Sequence, residues 1–194
     1  PDHDIHEAFI EWAAPRLNGD RFRTLFTRMA ARSGIDHRWS VLPPTPAGGS
    51  PVAAGGFYDV PGLPPTSMRM EAYASHAPEL ALRAIAALGD AFDPARITHI
   101  VVASCTGFVA PGIDQILARR LGLSPTVERV LIGFMGCYAG VTALRTARHI
   151  VRSDPDAMVL VVSVELSTLH LSLADQPEPL LAMLQFSDGA AAGI

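Results

Sequence analysis

Cys137 lies near the centre of an uncharged run from Val130 to Leu144, VLIGFMGCYAGVTAL, and is the residue on which covalent chemistry could be built. Val130 to Ile132 reads as the end of a buried strand. Beyond it, apolar residues at Val141, Leu144, Ala147 and Val151 recur at helical spacing. The intervening Gly136-Cys137-Tyr138-Ala139-Gly140 therefore places a thiol on a tight turn at the start of a helix. The positive end of a helix favours an anion, and the thiolate is the nucleophilic form of cysteine. Gly136 and Gly140 keep bulk away from the sulfur, so a substrate carbonyl could approach closely. The pattern is that of a nucleophile elbow. Taken alone, such a cysteine is more often plain core packing, because free cysteine is among the most buried residue types.

A second cluster that could bind something is cationic. Arg21, Arg23, Arg28 and Arg32 lie on or beside a helix opened by Asn18-Gly19-Asp20, with Leu25, Phe26 and Met29 expected on its buried side. Such a run reads as a solvated face or as an anion site, and the residues alone leave both open.

Composition narrows the classes. The 194 residues are 49% hydrophobic and 18% charged, with a formal net charge of −4. That describes one globular domain with an ample core. The cations are dispersed and the balance is acidic, so no nucleic-acid partner is expected. The central apolar run falls short of the roughly 20 residues needed to span a bilayer, and no signal peptide is expected at Pro1. Cys105 and Cys137 stand apart without a CxxC spacing or matching histidines, so no metal site is expected and a reducing cytoplasm is the default. The start at Pro1 and the stop at Ile194 within an apolar run lead us to expect a piece of a longer protein.

The elements that must position these residues read as follows. His3 to Trp12 forms a short amphipathic helix, and the Arg-rich helix follows Asp20. Pro43 to Pro65, PPTPAGGSPVAAGGFYDVPGLPP, is loop. A long helix runs from Thr66 or Ser67 to about Ala91, with Pro78 marking a kink or break. Then strand and helix alternate: strand 97–103, helix 112–121, strand 127–132, the Cys137 helix, and strand 157–165. The last of these is nearly all apolar and is expected to be covered on both faces. A short helix near 180–184 and a turn at Phe186-Ser187-Asp188-Gly189 lead into a final strand. Buried strands alternating with helices mean a layered α/β fold.

With these elements in order, ITHIVVASCTG, the PGID helix, LGLSPTVERV, GFMGCYAG, VLVVSVEL and the terminal FSDGAAA together resemble the chalcone/stilbene synthase family, the type III polyketide synthases. The likeness runs from about Asp20 to Ile194 and is closest in look to bacterial alkylresorcinol and alkylpyrone synthases. It implies a thiolase-like layered α/β/α fold, this chain being the N-terminal half of a duplicated βαβαβαββ arrangement, cut at both ends. It implies an acyltransferase that condenses an acyl-CoA starter with malonyl-CoA through a thioester on Cys137, with no cofactor beyond the CoA thioesters themselves. By the same resemblance Phe186 matches a gatekeeper aromatic, and Arg28 and Arg32 match cations that contact the CoA phosphates. A third cation of that cluster falls on Leu25, a departure. Cys105, Ala110, Ser167 and His170 match cavity-wall positions; Ala110 replaces a bulkier residue and leaves more room. Glu165 is expected to be a structural, hydrogen-bonded carboxylate.

The family's catalytic His and Asn belong to its second half, so residues 1–194 alone are expected to be inactive. A homodimer is implied by resemblance only. A fatty acyl starter is favoured over an aromatic one, because Ala110 is small and Leu169, Leu171 and Leu173 would suit an apolar tunnel. The rival readings are a ketoacyl synthase III-like enzyme fed by an acyl-carrier protein and a non-catalytic thiolase-fold partner. The presence of Cys137 weighs against the partner.

Overall fold

The structure, a computed structural model, describes all of residues 1–194. In chain order its principal elements are β1 (His3–Asp4), α1 (His6–Ala13), α2 (Asp20–Arg32), β2 (Trp39–Ser40), α3 (Thr66–Ala86), β3 (His99–Ala103), α4 (Ile113–Arg120), β4 (Glu128–Ile132), α5 (Ala139–Ser153), β5 (Val159–Leu166), α6 (Pro177–Leu184) and β6 (Asp188–Gly193). Short 3-10 turns link several of them. They divide into two compact units, one made of 1–69 with 166–188, the other of 70–165 with 189–194.

The second unit holds a four-stranded sheet in the order β4-β3-β5-β6. β3 is parallel to both neighbours, with Ala103 opposite Ile132 on one side and Ser163 on the other. The chain steps outward from β3 to β4, then back past β3 to β5. Right-handed crossovers in opposite directions put α4 and α5 on opposite faces of the sheet. Side-chain alternation follows: Val101 and Ala103 join Ile132, Ala139, Ala143 and Val159 in the core beneath α5. Ile100 and Val102 point the other way and are fully buried. An ion pair between Asp114 and Arg129, 2.7 Å, ties α4 to β4.

Two expectations for this unit change. β5 is not covered equally on both faces: Leu160, Val162, Val164 and Leu166 are buried, whereas Val161, Ser163 and Glu165 are half-buried. Likewise the helical stripe of α5 that includes Val141, Leu144 and Val151 is exposed, and only Ala139 and Ala143 are buried. The open β5 face and this stripe line a cavity of about 590 Å³. α3 continues through the buried Pro78 without a break and ends at Ala86 instead of Ala91.

In the first unit β1 and β2 pair antiparallel, and α6 packs on α1 and α2. The buried side of α2 is Phe26 and Ala30, not the Leu25, Phe26 and Met29 expected, since Leu25 and Met29 stay exposed. The cap of α2 falls within Asn18-Gly19-Asp20 as expected: Gly19 occupies the cap position, and the Asn18 amide donates to Asp175 Oδ2 at 3.0 Å. The 43–65 loop is irregular as expected but carries a buried anchor, Tyr58.

Candidate active site

β4 delivers the chain to the elbow. Residues 133–135 turn it, and a 3-10 turn, Gly136–Tyr138, runs directly into α5. Two residues here adopt left-handed backbone, Phe134 at φ 57° and Gly136 at φ 70°. That conformation is strained for any residue with a Cβ and natural for glycine. A Cβ on Gly136 would meet nothing within 4 Å. Gly136 thus supplies the backbone bend and leaves open space around it. Cys137 is the next residue and is exposed. It takes no part in the core formed by residues 1–194.

Cys105 is brought to the same turn from the end of β3. Its backbone N–H donates to both carboxylate oxygens of Glu165, at 2.9 and 3.0 Å, and the Thr106 hydroxyl donates to Oε2 at 2.7 Å. Glu165 is thus the hydrogen-bonded structural carboxylate expected. The strand end it fixes aims the half-buried Cys105 thiol at the Gly136 carbonyl, 3.4 Å away. Beyond it, Gly107 lies flat on the Tyr73 ring; a Cβ there would come within 2.0 Å of the ring, so no larger residue fits. The Tyr73 hydroxyl donates to Ser104 Oγ at 2.6 Å, and burial pushes its pKa up to about 12. Tyr73, Ser104, Phe108, Ile113, Leu131 and Phe134 line a cavity of about 290 Å³. Ala110 is exposed, just ahead of a cis peptide to Pro111.

The other candidates belong to the first unit. Arg28 and Arg32, four residues apart, share one exposed face of α2. Arg32 lines a groove of about 580 Å³ with Met29, Ile35, Leu181 and Leu184. Arg23, two positions before Leu25, pairs with Asp20 at 3.1 Å. Ser167 is half-buried and His170 exposed at the two ends of one 3-10 turn. Phe186 is 45% exposed. Leu169 and Leu171 are fully buried core and Leu173 is exposed, which removes the leucines as an argument for an apolar tunnel.

Sequence reasoning missed the buried polar network beneath Phe186. Asp188 is 4% exposed and accepts from Val41 N (2.8 Å), Thr168 N (2.7 Å) and Thr168 Oγ1 (2.7 Å). Burial raises its pKa, against the pull of these donors and of Arg38. Arg38 is 1% exposed, and its Nε donates to the Phe186 carbonyl at 2.7 Å. Burial pushes its pKa down to about 10, with Asp188 opposing. The Tyr58 hydroxyl donates to the Thr168 carbonyl, and burial raises its pKa to about 12. The Asp of FSDG could have signalled such a network, since a lone carboxylate before an apolar strand must find donors. Nothing in the sequence marked Arg38.

Residues 20–194 match a family model described as chalcone and stilbene synthases, N-terminal domain. The α-pyrone synthesis polyketide synthase-like Pks18 of Mycobacterium tuberculosis is 41% identical over 128 residues, covering 64% of this chain and 32% of that protein. Type III polyketide synthase 21 of Oryza sativa subsp. japonica is 40% identical over 137 residues, covering 69% and 35%. Among solved structures, the C-terminal type III polyketide synthase domain of Steely1 from Dictyostelium superposes with a TM-score of 0.83 at 28% identity, covering 99% of this chain and 52% of that one. The 1,3,6,8-tetrahydroxynaphthalene synthase of Streptomyces coelicolor A3(2) gives 0.80 at 28% identity, covering 99% and 53%. The chain spans about half the length of these solved relatives and about a third of the curated ones is aligned. The thiolase-like α/β fold expected from the sequence is the fold observed. The chain belongs to the chalcone and stilbene synthase family, the type III polyketide synthases, and carries that family's N-terminal domain.

Proposed function

We propose that the complete protein carrying this chain is a type III polyketide synthase that takes an acyl-CoA starter, fatty acyl in preference to aromatic, and extends it with malonyl-CoA. The observation that carries this reading is the exposed Cys137 on a left-handed turn at the start of α5. In the first step the Cys137 thiolate attacks the starter's thioester carbonyl, and CoA leaves as its thiolate. Malonyl-CoA then loses carbon dioxide, and the electron pair of the broken C–C bond forms an enolate. The enolate carbon attacks the Cys137 thioester, the new C–C bond forms, and the Cys137 thiolate is released. Donors aimed at the thioester oxygen must stabilise the enolate. By family resemblance these are a His and an Asn outside residues 1–194, so this chain alone is expected to give no condensation product.

Arg28 and Arg32 are assigned to the CoA phosphates, which suit guanidinium forks. Phe186 is assigned as gate, and Cys105, Ala110, Ser167 and His170 as cavity wall. The fatty acyl preference rests on the small Ala110 and on the resemblance of SCTG, GFMGCYAG and VELSTLHL to bacterial alkylresorcinol and alkylpyrone synthases. A homodimer and a cytoplasmic setting complete the proposal; no helix is long and apolar enough to cross a membrane.

The test is to incubate the complete protein with a panel of acyl-CoA starters, then malonyl-CoA, and to map adducts and product masses. A fatty acyl adduct on Cys137, absent from Cys137→Ala, with triketide or tetraketide products is expected. Loading only from an acyl-carrier protein would place the enzyme with the ketoacyl synthases. No adduct on Cys137 would refute the chemistry.

A further inference from the structure

Phe186 projects from a turn held by hydrogen bonds at three successive residues. Its own carbonyl accepts from buried Arg38 Nε at 2.7 Å. The hydroxyl of Ser187 accepts from Trp39 N at 3.0 Å. The carboxylate of Asp188 accepts from Val41 N on one side and from Thr168 on the other. Ser40 Oγ closes the circuit by bonding Thr168 Oγ1 at 2.8 Å. Thr168 belongs to the same short turn as Ser167 and His170. One buried carboxylate thus joins the turn of Phe186 to the turn carrying two other wall positions.

Phe186 is 45% exposed, so packing within residues 1–194 does little to hold it. Arg38 can do what packing does not. Its guanidinium lies 4.6 Å from the Phe9 ring, and its Nη1 is buried without a hydrogen-bond partner. It cannot swing away from Phe186 without unstacking, and it is 1% exposed. Buried charged groups of this kind give poor returns in stability and good returns in a single defined geometry.

We propose that Arg38 and Asp188 are positioning residues for Phe186: together with Ser187 they clamp its turn against the 167–170 turn and so set which acyl chain lengths the gate admits. This rests on the reading of Phe186 as a gate. The test is a pair of double-mutant cycles in the complete protein: R38M with F186A, and S187A with F186A. Each is read as the ratio of kcat/KM for hexadecanoyl-CoA to that for hexanoyl-CoA. R38M is expected to change this ratio about tenfold and S187A about threefold, as for a displaced positioning contact. Both effects should vanish in the F186A background, because residues that act through a third lose their effect when it is gone. R38K, which keeps one donor for the carbonyl, is expected to return the ratio towards wild type. If R38M fails to fold, the S187A cycle decides, since Ser187 lies at the surface end of the clamp. Effects that add to that of F186A, or ratios unchanged in folded R38M and S187A, overturn the proposal. F186A leaving every starter unchanged would instead overturn the gate reading, and this inference with it.

Discussion

The Cys137 elbow and the Phe186 turn are both expected to face substrate, yet they are held by opposite means. At the elbow the backbone itself does the work: two left-handed residues within three positions, then a helix. Side-chain support is slight, Cys137 being exposed and Gly136 open around its Cα. At the Phe186 turn the backbone is ordinary, and the constraint comes from the buried Arg38 side chain and the backbone N–H groups of Trp39 and Val41, 147 or 148 residues away. A nucleophile needs a fixed point in space with open approaches, which a strained turn provides without crowding. A wall residue needs a fixed relation to other walls, which only long-range contacts provide.

That contrast ranks the expected damage. Asp188→Ala should be the most costly change, because it leaves the backbone N–H groups of Val41 and Thr168 without an acceptor and Arg38 without its counter-charge. A loss of about 3–5 kcal/mol is expected in urea unfolding of the complete protein. A loss under about 1 kcal/mol would put the network on no firmer footing than a surface contact. Next comes Gly136→Ala, which forces a Cβ into left-handed backbone at φ 70°. It is expected to cost about 1–2 kcal/mol. Acyl loading of Cys137 should fall more than tenfold as the turn relaxes. Normal loading with normal stability would show that the elbow does not depend on this bend.

The two sites also differ in how far they could be read from sequence. Local rules sufficed for the elbow: an apolar strand end, a glycine, a cysteine and a helical period occupy one short window. They sufficed too for the alternation that builds the sheet, and for Glu165, whose position at a strand end required donors. They failed where burial is decided by what lies across the fold. The spacing of Val141, Leu144 and Val151 marks a helix correctly, but periodicity says nothing of which neighbour covers the stripe. Leu25 and Met29 were misjudged for the same reason. Arg38 is the limiting case: an arginine reads as surface until a carbonyl 148 positions later captures it.

A gentler probe of the network is pH. Burial raises the Asp188 pKa above the ordinary 3.8, so the folded state holds its proton more readily than the unfolded chain does. The stability this contributes is fully present below the unfolded value and is lost as pH rises through the raised folded one. Asp188→Asn cannot titrate. Wild-type stability minus that of Asp188→Asn should therefore fall as pH is raised out of the acid range. Urea midpoints of the two proteins, measured in steps from about pH 4 to about pH 7, follow this difference. A difference that grows with pH would mean that Val41, Thr168 and Arg38 overcome burial and hold the carboxylate charged.

The smallest effect separates bend from clearance at the elbow. Gly140 stands in the first turn of α5, and a Cβ there would meet only Ser163 Oγ, at 3.7 Å, an ordinary contact. Gly140→Ala is expected to stabilise the protein by about 0.4–1 kcal/mol, because alanine has less backbone freedom to lose on forming a helix. It should leave Cys137 loading unchanged, in contrast to Gly136→Ala one turn earlier. The comparison is made by following intact mass after a pulse of acyl-CoA, beside thermal midpoints of the same samples. Slower loading with undiminished stability would mean that a methyl group at position 140 obstructs the acyl donor. Gly140 would then be a residue of the site, and the clearance first read from the sequence would stand beside the bend at Gly136 as a condition for the nucleophile.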